Sequence, residues 1–113
     1  MLNNDGSADE VKIGVLVRSN IRRLAAEGKI SKETAGKMTS YEYSKNIFNI
    51  NYPLLKKADR RLPISEQRQV SGYPRYWSEY IEIAGDDYLV CQEWFERDRN
   101  YFLAWLSKAN GVK

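Results

Sequence analysis

The sequence predicts an α+β domain, mostly helical, with one β-hairpin and a long helix at each end. Ile13, Leu16, Val17, Ile21 and Leu24 recur at spacings of three and four, the apolar period of an amphipathic helix. Trp94, Phe95, Tyr101, Phe102, Trp105 and Leu106 recur in the same way near the C-terminus. Between these stretches, Tyr80 to Ile83 and Tyr88 to Val90 are β-favouring runs divided by Ala-Gly-Asp-Asp, which is a hairpin signal.

Residues 1–8, MLNNDGSA, offer almost nothing to bury and read as a disordered tail, leaving 9–113 as a single globular domain. Asp9 can cap a first helix over 10–27, and Gly28 can end it. After Ser31, the stretch KETAGKM places Ala35 and Met38 three apart, enough for a helix of two turns. Thr39 and Glu42 have the spacing of a capping box ahead of a third helix over 41–48. Pro53 suits the first turn of a short helix anchored by Leu54 and Leu55. From Asp59 to Tyr76, Pro63, Gly72 and Pro74 interrupt any sustained period, so a long, partly irregular connector is expected. Strands over 79–83 and 88–91 form the hairpin. A last helix over 94–109 should bury Trp94, Tyr101, Phe102 and Trp105 on one face.

With 113 residues and 42% hydrophobic composition the chain can build one core. It contains no histidine, which removes Ser-His-Asp and Cys-His catalysis and histidine-ligated zinc. The single cysteine, Cys91, allows no internal disulfide, which fits a reducing, cytoplasmic setting. Placed among apolar residues, its thiol should be buried and inert. No stretch is long and apolar enough for a membrane span, and Met1 to Glu10 lack the basic start and apolar run of a secretory leader. The acidic residues Glu79, Glu82, Asp86, Asp87 and Glu93 are the enzyme candidates. A metal nuclease of the Glu-x-Lys type needs a lysine beside Glu93, and Cys91-Gln92-Glu93-Trp94 supplies none. Glycine loops for phosphate are absent as well. The expectation is a non-enzymatic protein with no metal and no cofactor.

Charge distribution is the remaining signal. Between Lys12 and Arg75 there are 14 basic and 5 acidic residues; from Tyr76 onward there are 4 basic and 7 acidic. Lys45, Lys56, Lys57, Arg60, Arg61, Arg68 and Arg75 are interleaved with Asn46, Asn49, Asn51, Tyr52, Gln67, Gln69 and Tyr73. These residue types contact phosphates and base edges. A long helix, two short helices joined at Thr39 and Ser40, and a later hairpin resemble, in element order, a winged helix-turn-helix over residues 10–91. That resemblance implies a second short helix in the major groove of duplex DNA. Lys45 and Asn46 would then lie near bases, with Lys56, Lys57, Arg60, Arg61, Arg68 and Arg75 on phosphates. A different class of function is also open. Three Trp and eight Tyr exceed what so small a core needs, and such side chains dominate protein interfaces, so a protein-interaction, inhibitory or accessory domain is the alternative.

Overall fold

A computed structural model describes residues 11–110; the expected tail over 1–8 and the Asp9 cap lie outside the described residues. Helix α1, Ile13–Ala26, buries the expected stripe of Ile13, Leu16, Val17, Ile21 and Leu24. Its first-turn donor at Ile13 is satisfied from the far end of the chain, by Glu96 Oε2 at 2.9 Å. At the other end Gly28, at φ 69°, lets Gly28 N donate to the Ala25 carbonyl and Lys29 N to that of Leu24, a Schellman closure.

Ser31 Oγ accepts from Thr34 N at 3.0 Å to start α2, Lys32–Met38. Helix α3, Tyr41–Phe48, has the expected bounds but a different cap. Ser40 accepts from Tyr43 N, while Thr39 closes α2 by donating to the Gly36 carbonyl at 2.6 Å. The N-cap is therefore Ser40, one residue later than expected, and no capping box with Glu42 forms. Buried Ser44 ties the next segment down, accepting from Leu54 N at 2.9 Å.

The short helix expected after Pro53 is instead a strand, β1, Leu55–Lys57. A single helical turn would gain few hydrogen bonds for the residues it fixes. As a strand, the same residues pair antiparallel with β5, Asp86–Val90, setting Leu55 against Val90 and Lys57 against Tyr88. The connector then contains α4, Ile64–Gln67, and a second small hairpin, β2 (Gln69–Val70) with β3 (Tyr73–Pro74), where the sequence suggested irregular chain. Strand β4, Ile81–Ile83, completes an antiparallel sheet ordered β1-β5-β4. The β4–β5 turn is only Ala84 and Gly85, at φ 54° and 89°, as a two-residue hairpin of mirror-image type requires. Asp86 and Asp87 consequently belong to the strand and not to the turn.

Helix α5 begins later than the aromatic spacing suggested, at Arg99, and runs to Ala109 after a 3-10 turn over Glu96–Asp98. Phe95 is extended, and buried Asp98 accepts from Phe95 N and from Asn49 Nδ2, both at 3.0 Å. This later start corrects the expected burial. Trp94 and Phe102 are core residues, Trp105 is half-buried, and Tyr101 is 48% exposed. Phe48 is the hub of the aromatic core, with ring centroids 5.8 Å from Trp94, 5.5 Å from Trp105 and 6.2 Å from Phe102. Helix α1 packs on β4 and α5, and α3 packs on α2 and α5.

Candidate nucleic-acid interface

The fold divides the eight candidate residues into three groups. Lys57, Arg60 and Arg61 line a surface depression of about 620 Å³, together with Asp59, Asp86 and Asp87. The β1–β5 pairing makes this inevitable, because it lays the acidic start of β5 beside the basic end of β1, with Ala58 N donating to the Asp87 carbonyl at 2.8 Å. Each cation meets its own carboxylate. Lys57 Nζ lies 3.7 Å from Asp86, Arg60 Nε donates to Asp87 at 2.8 Å, and Arg61 grips Asp59 through Nε at 3.0 Å and Nη2 at 2.8 Å. The Arg61 side-chain and backbone donors pull the Asp59 carboxyl down to about 2, and Asp87 raises Arg60 in turn. Arg60 also lies over the Tyr80 ring, 5.0 Å from its centroid. Three cations facing three carboxylates leave no formal charge to attract a phosphate.

Lys56 and Arg68 face inward. Lys56 Nζ donates to the carbonyls of Gln67 and Gln69 and lies 5.8 Å from the Tyr76 centroid. Arg68 donates to the Tyr76 carbonyl at 2.9 Å and to Gln92 Oε1 at 3.2 Å. Both side chains fasten the connector through these bonds. Gln67 belongs to the same framework, bonded to both the N–H and the carbonyl of Asp59 at 2.8 Å.

The third group carries what remains of the interface. The Arg75 guanidinium is held between two tyrosines, 5.4 Å from each of the Tyr52 and Tyr73 centroids. Its Nη1 is 3.4 Å from Glu93, and its Nε is buried with no hydrogen-bond partner among the described residues. The rings therefore set its position more than directed hydrogen bonds do. Tyr73, on the small hairpin, is 63% exposed. Next to Tyr52 in the chain, Asn51 accepts from Lys45 Nζ at 2.9 Å. The result is a row of Lys45, Asn51, Tyr52, Arg75 and Tyr73, with Asn46 exposed on α3. The sequence held all of these residues but not their contiguity, since the elements that carry them are joined only by tertiary structure. It also hid the role of Asp86, Asp87 and Glu93, which are counter-charges for the basic segment.

Glu79 and Cys91 are held by their surroundings. Glu79 accepts from Arg18 at 3.0 Å and from Arg22 at 2.8 Å and 2.9 Å, which lowers its carboxyl below the usual range. Burial pushes the Cys91 thiol up to about 12, so it is protonated at neutral pH and a poor nucleophile. Among the described residues no group of three or more Cys, Asp or Glu has the arrangement of a metal site. No described helix is long and apolar enough to cross a membrane. Comparison with protein-family models, curated proteins and solved structures gave no match.

Proposed function

We propose that this chain is a nucleic-acid-binding module and that its ligand is an unpaired strand. The observation that carries the reading is the Arg75 guanidinium lying over the rings of Tyr52 and Tyr73, with Tyr73 largely exposed. An exposed aromatic face beside cations is how strand-binding proteins take successive bases, with stacking that tolerates any base and cations on the backbone. Lys45 and Asn46 on α3, the second of two helices joined at Thr39 and Ser40, extend the row toward phosphates and base edges. Duplex DNA was the expectation from the basic connector. That support is weaker now that Lys57, Arg60 and Arg61 face carboxylates, because duplex affinity rests on many neutralised phosphates.

Fluorescence anisotropy with a labelled oligothymidine, the corresponding RNA and a duplex, each at two salt concentrations, tests the reading. The unpaired strands should bind more tightly than the duplex. With Lys45 as a phosphate contact and Arg75 as a second that Glu93 partly offsets at 3.4 Å, log K should fall with log salt at a slope of about −1, from roughly 0.7 per contact on a single strand. Absence of binding by a folded sample at low salt sinks the proposal. The protein-partner alternative would then take precedence, supported by Phe95 and Tyr101, which are 51% and 48% exposed near the start of α5.

A further inference from the structure

A second depression, of about 360 Å³, lies where the end of α1, α2, α3 and the end of α5 meet. Lys29, Lys37 and Lys108 stand on its wall, Tyr43 and Trp105 provide its ring surfaces, and no Asp or Glu lines it. Its volume is within the range of small-molecule sites, about 300–1,000 Å³. Lys29 and Lys37 have carboxylates outside the cavity, Glu27 at 3.5 Å and the largely exposed Glu33 at 4.0 Å. Lys108 has no ion pair among the described residues.

Each lysine stands in or just beyond the last turn of a helix, where a cation answers the negative end of the helix dipole. That explains part of the charge. Three helix ends at about half a negative charge each offset roughly half of three ammonium groups, and Glu27 and Glu33 draw on Lys29 and Lys37 from outside the wall through exposed, weak pairs. Lys29 and Lys37 can therefore turn to an incoming anion, and Lys108 faces it without a carboxylate partner among the described residues. The ring surface is rigid, because Trp105 is packed against Phe48 at 5.5 Å and Phe102 at 5.8 Å. Its indole N–H makes no hydrogen bond to a described residue and is reached by solvent.

We infer that this cavity binds a phosphate attached to a planar ring, as in a nucleoside monophosphate or the phosphorylated end of a strand. The ring lies on Trp105 and Tyr43, and the phosphate lies among Lys29, Lys37 and Lys108. The inference is independent of strand binding at Tyr73, and each site has its own reporter.

Proton–nitrogen NMR of the full chain, following the indole signals of Trp77, Trp94 and Trp105, tests it. Titration with adenosine 5′-monophosphate should shift Trp105 saturably and more than the other two. Adenosine without its phosphate should bind at least tenfold more weakly. Replacing Lys37→Ala and Lys108→Ala together should weaken the monophosphate at least tenfold and leave adenosine unchanged; if that protein does not fold, Lys108→Gln alone is read for a smaller loss in the same sense. A 5′-phosphorylated hexathymidine that binds more tightly than the monophosphate assigns the site to strand ends, and one that binds no better assigns it to free nucleotides. No saturable shift at Trp105, equal affinity for adenosine and its monophosphate, or an unchanged affinity in the lysine variants overturns the inference.

Discussion

Two depressions on this molecule each carry three cationic side chains, and they differ in what faces those cations. Around Lys57, Arg60 and Arg61 stand Asp59, Asp86 and Asp87, two of them delivered by β5. Around Lys29, Lys37 and Lys108 stand Tyr43 and Trp105 and no carboxylate. The first cavity is larger and has a carboxylate on its wall for each cation; the second is smaller, and the carboxylates that pair with Lys29 and Lys37 lie outside its wall. A carboxylate about 3 Å away offsets most of a cation's field at longer range, so the proposed anion site is the cavity whose wall carries no carboxylate. A count of basic residues along the chain does not separate the two cavities, because Lys29 and Lys37 fall in the same basic segment as Lys57, Arg60 and Arg61.

The largest effect on this contrast comes from beneath the lysine cavity. Phe48 is fully buried and supports the Trp105 ring, so Phe48→Ala should cost about 3–5 kcal/mol, the usual range for a core aromatic. Chemical denaturation measures it, and a cost below about 1 kcal/mol would show that the aromatic core has been misjudged. Next is Tyr73→Ala, which removes an exposed stacking ring and should weaken oligothymidine binding about ten- to a hundredfold, from roughly 1–3 kcal/mol per stacked base. An unchanged stability would confirm that the loss comes from the surface.

A gain-of-function variant probes the neutral cavity. Asp86→Asn with Asp87→Asn frees Lys57 and Arg60 from their partners. Oligonucleotide affinity should rise, and the salt slope should steepen by about one unit or slightly more for two added cations. If neither changes, pairing was not what silenced this cavity. The smallest effect concerns pH. The Asp59 carboxyl is held down to about 2 by Arg61, below the ordinary aspartate value of about 3.9. A group with a depressed folded pKa adds stability above its unfolded pKa and loses it as the pH falls through the folded one. Asp59→Asn should therefore melt slightly below the parent at pH 7, with the difference vanishing as the pH falls from about 4 toward 2.

The same contrast between local and long-range information explains what the sequence made legible. The stripe of α1, the bounds of α3 and the β4–β5 pairing follow from residues within a turn or two of one another. Strand β1 does not, because three residues carry no period and Leu54 and Leu55 after Pro53 fit a helical turn equally well; only pairing with Val90 and Leu89 decides. The start of α5 was displaced because Trp94 and Phe95 continue the aromatic spacing, whereas Asp98 holds Phe95 in an extended conformation. The candidate interface was legible as a list of residue types. Its pairing was not, since Arg60 meets Asp87 across 27 positions, and the lysine cavity draws on residues from 29 to 108.

A backbone amide shift map on adding a 5′-phosphorylated hexathymidine tests most directly whether the ring-bearing sites bind in preference to the cavity whose wall pairs each cation with a carboxylate. Residues Tyr52, Tyr73, Arg75, Lys37 and Lys108 should move, while Asp59 to Leu62 and Asp86 to Asp87 stay fixed. Perturbations gathered instead on Lys57 to Arg61 and the start of β5 would contradict it, because the neutralised cavity would then be the one that binds.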